Sequence, residues 1–321
     1  MTLDSILDEI KKAEKIVVLT HENPDGDAIG SATAVKLGIE YFGKNVDIII
    51  PEYSKCFEFL PGMNDVKSES NIIQYDLAIS VDCADPKIMK GYTTYYEKAL
   101  RKVSIDHHGS NKMYADINYV DPVSPACAQV LVAAFDYWNI PITKEIGTCL
   151  ATGIITDTGG FNYSVTSETF EFTAELLRSG VNISEIYRRV FETKTRANYE
   201  LTKIANDRRE FLEDDRVTFT YITAEDEEKV NASTGDYEGI VQIGRCIEGV
   251  EVSIFLHEQK EKGGFKVSLR SSEYVTVSDV ALMFGGGGHV RAAGAFSTGT
   301  PEQIKNKVLS EIRKQLKSIN I

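Results

Sequence analysis

The sequence predicts an α/β fold: a doubly wound, mostly parallel sheet in the N-terminal half, joined to a smaller α/β domain. Three observations point there. Short β-rich runs at 16–20 (IVVLT), 46–50 (VDIII), 76–81 (DLAISV) and 102–105 (KVSI) alternate with helix-length segments, the pattern of a parallel sheet wound by crossover helices. The chain has 321 residues, too many for one ordinary core and enough for two. Past residue 213 the order changes to strands in closer succession with a closing helix.

The elements follow in order. Leu3, Ile6, Leu7 and Ile10 have helical spacing and are followed by lysines, so the chain opens on an amphipathic helix. It lacks the continuous apolar stretch of a signal peptide, and a cytoplasmic protein is expected. After the four strand runs, 125–138 and 143–155 read as helices, the first opened by Ser124 as N-cap and Pro125 at N1. Further helices are expected near 167–179 and 183–192. The segment 196–212 has Leu201, Ile204, Ala205 and Leu212 on one face, so it predicts a helix linking two lobes. The expected division is therefore 1–190, a helical link at 191–213, and 214–321. In the last part, strands are expected at 216–222, 250–257 and 265–270, then a helix at 276–284, a glycine run and a short strand. Thr300, Pro301 and Gln303 open a final helix with an N-cap, an N1 proline and a capping-box partner, and Ile304, Val308, Ile312 and Leu316 form its stripe.

Composition narrows the function. Apolar residues make up 42% and charged residues 26%, and no apolar run approaches the roughly 20 residues that cross a bilayer. Five scattered cysteines, an odd number without a C-x-x-C pair, read as core thiols in a reducing compartment. The net charge of −13 argues against coating long nucleic acid, which relies on a basic stripe releasing counterions. A small anionic substrate would need a local site where metals or a few arginines outweigh the global repulsion.

Four acidic or histidine clusters each follow an apolar element: His21-Glu22-Asn23-Pro24-Asp25-Gly26-Asp27, then Asp82, then Asp106-His107-His108, then Asp157. The first three fall at expected strand ends, where they can converge on one crevice. Any one alone has a plainer reading, since an Asp after a strand is usually an N-cap or turn residue; it is the set, in order, that points to a metal site. Asp25, Asp27, Asp82 and Asp157 would carry four negative charges, which two divalent ions balance. A carboxylate bridging such a pair holds the ions about 3.5 to 4 Å apart, a spacing suited to in-line attack on phosphorus. Two histidines among the carboxylates favour Mn²⁺ over Mg²⁺, with Co²⁺ also compatible, and the absence of thiolates makes zinc less suited.

These residues resemble a known family. HENPDGDAIGS at 21–31, SVDCAD at 80–85, SIDHHGSN at 104–111 and ITDTGGF at 155–161 are similar to the four motifs of the DHH phosphoesterases. GGGGH at 285–289, followed by Arg291 and Ala292-Ala293-Gly294, resembles the associated C-terminal substrate domain, so the likeness covers nearly the whole chain. Size and architecture are most similar to the family's bacterial nano-RNase branch. The resemblance implies that His21, Asp25 and Asp82 ligate one metal and that Asp27, Asp82, His107 and Asp157 ligate the other, with Asp82 bridging. It also implies that Asp106 orients a histidine and that His108 contacts the scissile phosphate and serves as general acid.

In the second domain, Gly286, Gly287 and Gly288 let backbone approach a ligand, and their N–H groups can cradle phosphate oxygens. A glycine run alone would read as a helix-to-strand connection. Its neighbours His289, Arg291, Arg270 and Ser271, together with the resemblance, make it a substrate site, with Arg270 suited to a bidentate grip on a terminal phosphate. The expected activity is hydrolysis of short oligoribonucleotides and of 3′-phosphoadenosine 5′-phosphate (pAp). Cleavage of cyclic di-AMP or pApA is the near alternative, and a non-catalytic nucleotide sensor the alternative of another class. No membrane or long nucleic acid is expected as partner, and homodimerisation is left open.

Overall fold

The computed structural model describes residues 2–72, 74–233 and 235–318. The chain divides into two compact units, 1–193 and 194–321. The first begins α1 (Thr2–Lys12), β1 (Ile16–Leu19), α2 (Gly26–Glu40), β2 (Val46–Ile49), β3 (Val66–Lys67), β4 (Leu77–Val81) and α3 (Thr93–Lys98). It continues with β5 (Arg101–Asp106), β6 (Ile117–Val120), α4 (Cys127–Tyr137), α5 (Lys144–Asp157), α6 (Ser167–Arg178) and α7 (Ile183–Tyr187).

Its six strands are all parallel, in the order β3-β2-β1-β4-β5-β6. β1 and β4 are buried along their whole length, as central strands covered on both faces must be. On one face Val18, Ile79, Val103 and Ile105 share a core with Ile29, Val35, Phe135, Leu150 and Ile154 from α2, α4 and α5. On the other, Val17, Leu19 and Ala78 share a smaller core with Tyr75, Tyr92 and Tyr96. The strand order reverses between β1 and β4, and in open α/β sheets that switch point opens a crevice beyond the carboxyl ends of the strands.

Two short strands escaped the sequence reading. β3 has two residues, and edge strand β6 is half-buried at every position, which leaves no alternation to read. The start of α4 is also corrected. The helix begins at Cys127, its N-cap Ala126 supplies no side-chain bond, and Ser124 Oγ instead donates to Asp121 Oδ2 at 2.9 Å.

The second unit begins α8 (Arg196–Asp207), β7 (Glu210–Leu212), β8 (Val217–Ile222), α9 (Ala224–Val230), α10 (Ile240–Arg245) and β9 (Val252–Gln259). β10 (Gly264–Ser271), α11 (Val277–Leu282), β11 (Gly287–His289), β12 (Ala292–Ser297) and α12 (Pro301–Ser318) follow. The sheet order is β11-β12-β10-β9-β8-β7, with β8 and β9 parallel and the other neighbours antiparallel. One face buries Phe219, Ile254, Val267 and Leu269 against Val280, Ile304, Val308 and Ile312 from α11 and α12. On the other face Leu201 and Ala205 of α8 pack with Ile240, Val241 and Phe255. The segment read as a single linking helix thus ends at Asp207, and 210–212 forms β7 against β8. α12 opens on the expected capping box: Gln303 N donates to Thr300 Oγ1 at 3.3 Å and Thr300 N to Gln303 Oε1 at 3.0 Å. Among the described residues no helix is long and apolar enough to cross a membrane.

Candidate metal centre and substrate face

Each acidic cluster is delivered by the end of an element. His21 lies two residues past β1, Asp25 and Asp27 open α2, Asp82 directly follows β4, Asp106 ends β5 and Asp157 ends α5. Asp25 is the N-cap of α2, its Oδ1 accepting from Asp27 N (3.0 Å) and Ala28 N (3.1 Å). Asp82 has a φ of 51°, a left-handed conformation that Asp tolerates better than most residues and that often marks functional positions. Gly26 and Gly153 let α2 run against α5: a Cβ on Gly26 would lie 2.3 Å from the Thr156 side chain, and one on Gly153 would lie 2.5 Å from both Asp27 Oδ1 and Ala128 Cβ.

These ends converge. His107 Nε2 lies 3.3 Å from Asp157 Oδ2, 3.4 Å from Asp82 Oδ1 and 3.9 Å from Asp27 Oδ2, while His21 Nε2 is 3.9 Å from Asp82 Oδ2. The two oxygens of Asp82 therefore face two donor groups, His21 with Asp25 on one side and Asp27 with His107 on the other, each group within 4.8 Å. Asp106 turns to the next histidine: its Oδ1 lies 2.8 Å from His108 Nδ1 and accepts from His107 N at 2.8 Å, and its Oδ2 accepts from Asn111 Nδ2 at 2.6 Å. His107 is held by a group the sequence reading overlooked, the Ser124 carbonyl, 3.1 Å from Nδ1. Asn111 was visible at the end of the third motif, SIDHHGSN at 104–111, but nothing in sequence alone marks a carbonyl.

Asp27 has a second task. Fully buried, it accepts from Cys127 N (2.6 Å) and Ala128 N (2.9 Å) at the start of α4, and from Ser31 Oγ (3.2 Å). It thus caps a helix about a hundred residues away, which explains why α4 needs no cap of its own.

The electrostatics are those of a site awaiting cations. Burial, then the Asp82 charge, pushes Asp27 up to about 7. Burial, then the charges of Asp27, Asp25 and Asp82, raises Asp157 well above the usual carboxylate range, and its place at the C-terminal end of α5 adds to the repulsion. Burial would raise Asp82 too, but the flanking His107, His108 and His21 hold it at about 2. For His107, burial opposes protonation and the surrounding carboxylates overcome it, to about 11. Asp82 Oδ1 is buried and has no well-formed hydrogen bond from any described residue, with His107 Nε2 at 3.4 Å and His108 Nδ1 at 3.5 Å, which leaves it open to a metal cation. Cys83 and Cys127 are kept as thiols by burial. Carboxylate oxygens with imidazole nitrogens and no thiolate form a donor set that fits divalent metal ions.

In the second unit, directly paired residues share a face of the sheet. Arg270 pairs with Ala292, and Ala292 with His289, so Arg270 and His289 look the same way. Ser271 and Arg291 both make contacts within the unit. Ser271 is buried, with Oγ donating to the Val275 carbonyl at 2.6 Å, and the Arg291 guanidinium donates to the carbonyls of Val275 (2.8 Å) and Glu273. Both secure the 273–275 loop. Of the glycines, Gly286 and Gly288 have no room for a Cβ, which would lie 2.1 Å from the Gly294 carbonyl and 2.5 Å from the Ala292 carbonyl, whereas Gly287 has open space. The run therefore allows close pairing of β11 to β12 as well as leaving a bare floor. Lys266 and Ser268, not singled out in the sequence, share the Arg270 face and alternate with buried Val267 and Leu269.

Residues 15–154 match the DHH family N-terminal domain, and residues 214–318 match the DHHA1 domain. The chain is 32% identical, over 96% of its length and 93% of the relative's, to a protein of Thermus thermophilus named bifunctional oligoribonuclease and PAP phosphatase NrnA. It is 28% identical to a Streptococcus mutans protein named as a probable enzyme of the same kind, with 98% of each chain covered. Among solved structures, an exopolyphosphatase-related protein from Bacteroides fragilis superposes with a TM-score of 0.88 at 28% identity, covering 98% of this chain and 97% of that one.

Proposed function

Because the chain belongs to the DHH family of phosphoesterases, we propose that it hydrolyses short oligoribonucleotides and pAp with the help of two divalent ions, Mn²⁺ suiting the donors best. The observation that carries this reading is the shared Asp82, whose two oxygens face two donor groups at the switch point of the sheet. His21, Asp25 and Asp82 would hold one ion; Asp27, Asp82, His107 and Asp157 would hold the other. Bound there, the ions would offset the buried negative charge, polarise phosphoryl oxygens and lower the pKa of a water.

The chain's own groups do the positioning. The Ser124 carbonyl fixes His107, and Asp106 fixes His108 through Nδ1, so His108 offers its other nitrogen to the substrate. Burial works against its proton, but the Asp106 contact and the nearby Asp82 charge raise its pKa, which suits a general acid for the departing oxygen. Arg270 would grip a terminal phosphate, with His289 on the same face. The substrate choice is supported by the name of the Thermus relative and by the net charge of −13, which disfavours long polyanions. A cytoplasmic enzyme working on small nucleotides is the consistent picture.

The test is turnover with Mn²⁺ on pAp, pApA, a diribonucleotide and cyclic di-AMP at equal concentration. Release of mononucleotide from the diribonucleotide together with phosphate from pAp is expected. Preference for cyclic di-AMP would move the assignment to cyclic dinucleotides, and metal uptake without any turnover would leave a sensor.

A further inference from the structure

The face that carries Arg270 and His289 continues well beyond them. β10 presents Lys266, Ser268 and Arg270 on one side while Val267 and Leu269 are buried on the other. Across the β10–β12 register these three meet Phe296, Gly294 and Ala292, and β11 adds Gly287 opposite Gly294 and His289 opposite Ala292. One end of the row is thus Arg270, Ala292 and His289, the middle is glycine, and the far end is Lys266 with Phe296. A Cβ on Gly294 would meet only the Val267 carbonyl, at 3.5 Å, and one on Gly287 would meet nothing within 4 Å, so among the described residues no side chain lies directly over these two glycines.

The far end has the chemistry of a nucleotide subsite. The Lys266 ammonium lies 5.9 Å from the centre of the Tyr237 ring and has no carboxylate within ion-pair distance among the described residues. Burial lowers its pKa, which the charge of Glu238 offsets only in part. Phe296, across the strand, is 37% exposed. Four residues of strand separate the Lys266 and Arg270 positions by about 13 Å, against roughly 3.4 Å per stacked base in a strand. That is room for more than the unit Arg270 holds.

We propose that Lys266 and Phe296, with Ser268 and Tyr237 beside them, form a subsite for the second nucleotide of an oligoribonucleotide, Lys266 taking the internucleotide phosphate and Phe296 stacking on the base. The proposal rests on the hydrolase reading above and names the residues that set its preference for length. The probes are pAp and 5′-phosphorylated triadenylate, with Lys266→Ala, Lys266→Arg and Phe296→Ala.

Lys266→Ala should lower the ratio of kcat/KM for triadenylate over pAp about tenfold, with the loss in KM, and Lys266→Arg should restore most of it. Phe296→Ala should lower the same ratio about 5- to 20-fold, the scale of one lost base–aromatic stack. In direct binding of triadenylate, Lys266→Ala should flatten the slope of log affinity against log salt by about 0.7, the share of one phosphate contact on a single strand. An unchanged ratio, an unchanged salt slope, or an equal loss on pAp and triadenylate would each overturn the subsite. A parent enzyme that hydrolyses neither probe would instead overturn the hydrolase reading, while the salt slope in binding still judges the subsite by itself.

Discussion

Asp82 reaches its place with a φ of 51° and a buried oxygen that no described residue bonds closely, two local features concentrated in the residue that both donor groups share. We expect Asp82→Ala to lower kcat by about 10³-fold or more, the scale of losing a principal charge-stabilising group, and to leave less than one metal per chain by elemental analysis. His21→Ala should keep one. Near-normal turnover with two metals retained in Asp82→Ala would remove the bridging role. At this scale the convergence of the candidate ligands was legible, because Asp and His at the ends of β-rich runs have few structural uses in common. The substrate residues were less so. Ser271 and Arg291 sit in the right stretch of sequence but bond to loop carbonyls: Ser271 follows Arg270 in β10, where neighbouring residues face opposite sides, and Arg291 lies in the turn between β11 and β12.

Among elements, the crossing of α2 and α5 decides where Asp27 sits. Gly153→Ala would bring a methyl to 2.5 Å from Asp27 Oδ1 and from Ala128 Cβ, and overpacking of this kind costs about 1 to 3 kcal/mol. The displaced carboxylate should weaken Mn²⁺ binding by about tenfold or more, the range seen when groups supporting a ligand are removed; calorimetric titration giving the parent Kd would refute this. The α4 boundary could not have been read from sequence, because its cap comes from Asp27 and local signals at Ser124 and Pro125 favoured an earlier start. In the second unit, Asp226 closes a capping box with Thr223 at the start of α9 and receives the Arg208 guanidinium, one contact at 2.9 Å. Burial alone would raise its pKa, but Arg208 and Thr223 hold it below the usual value. A depressed folded pKa means this contribution is complete above the unfolded Asp value of about 3.9 and fades as pH falls through the folded one. Asp226→Asn should therefore destabilise by about 1.5 to 3 kcal/mol at pH 7 and by much less near pH 2, as urea titrations at the two pH values would reveal. An equal loss at both would place the effect in packing.

For the whole molecule, the two units have separate cores, and all six proposed metal ligands belong to the first. Mn²⁺ at about 100 times its Kd should add about 2.7 kcal/mol to the unit that binds it. Calorimetry with Mn²⁺ and then with chelator should move one transition and leave the other; movement of both together would mean that the units unfold as one. The broad architecture was readable because strand runs and motif order repeat the same message, whereas the 196–212 segment misled because an amphipathic stripe does not reveal which core it covers. Asp27 also bears on descent. Its carboxylate satisfies two buried N–H groups of α4, each of which would cost about 1 to 3 kcal/mol if left unpaired, so its loss should harm folding as well as the proposed metal binding. A duplicated copy that had given up hydrolysis could shed His21 at little structural expense while selection for solubility still protected Asp27. In such a relic the surviving aspartate would testify to architecture, and only the missing histidine would date the end of the enzyme.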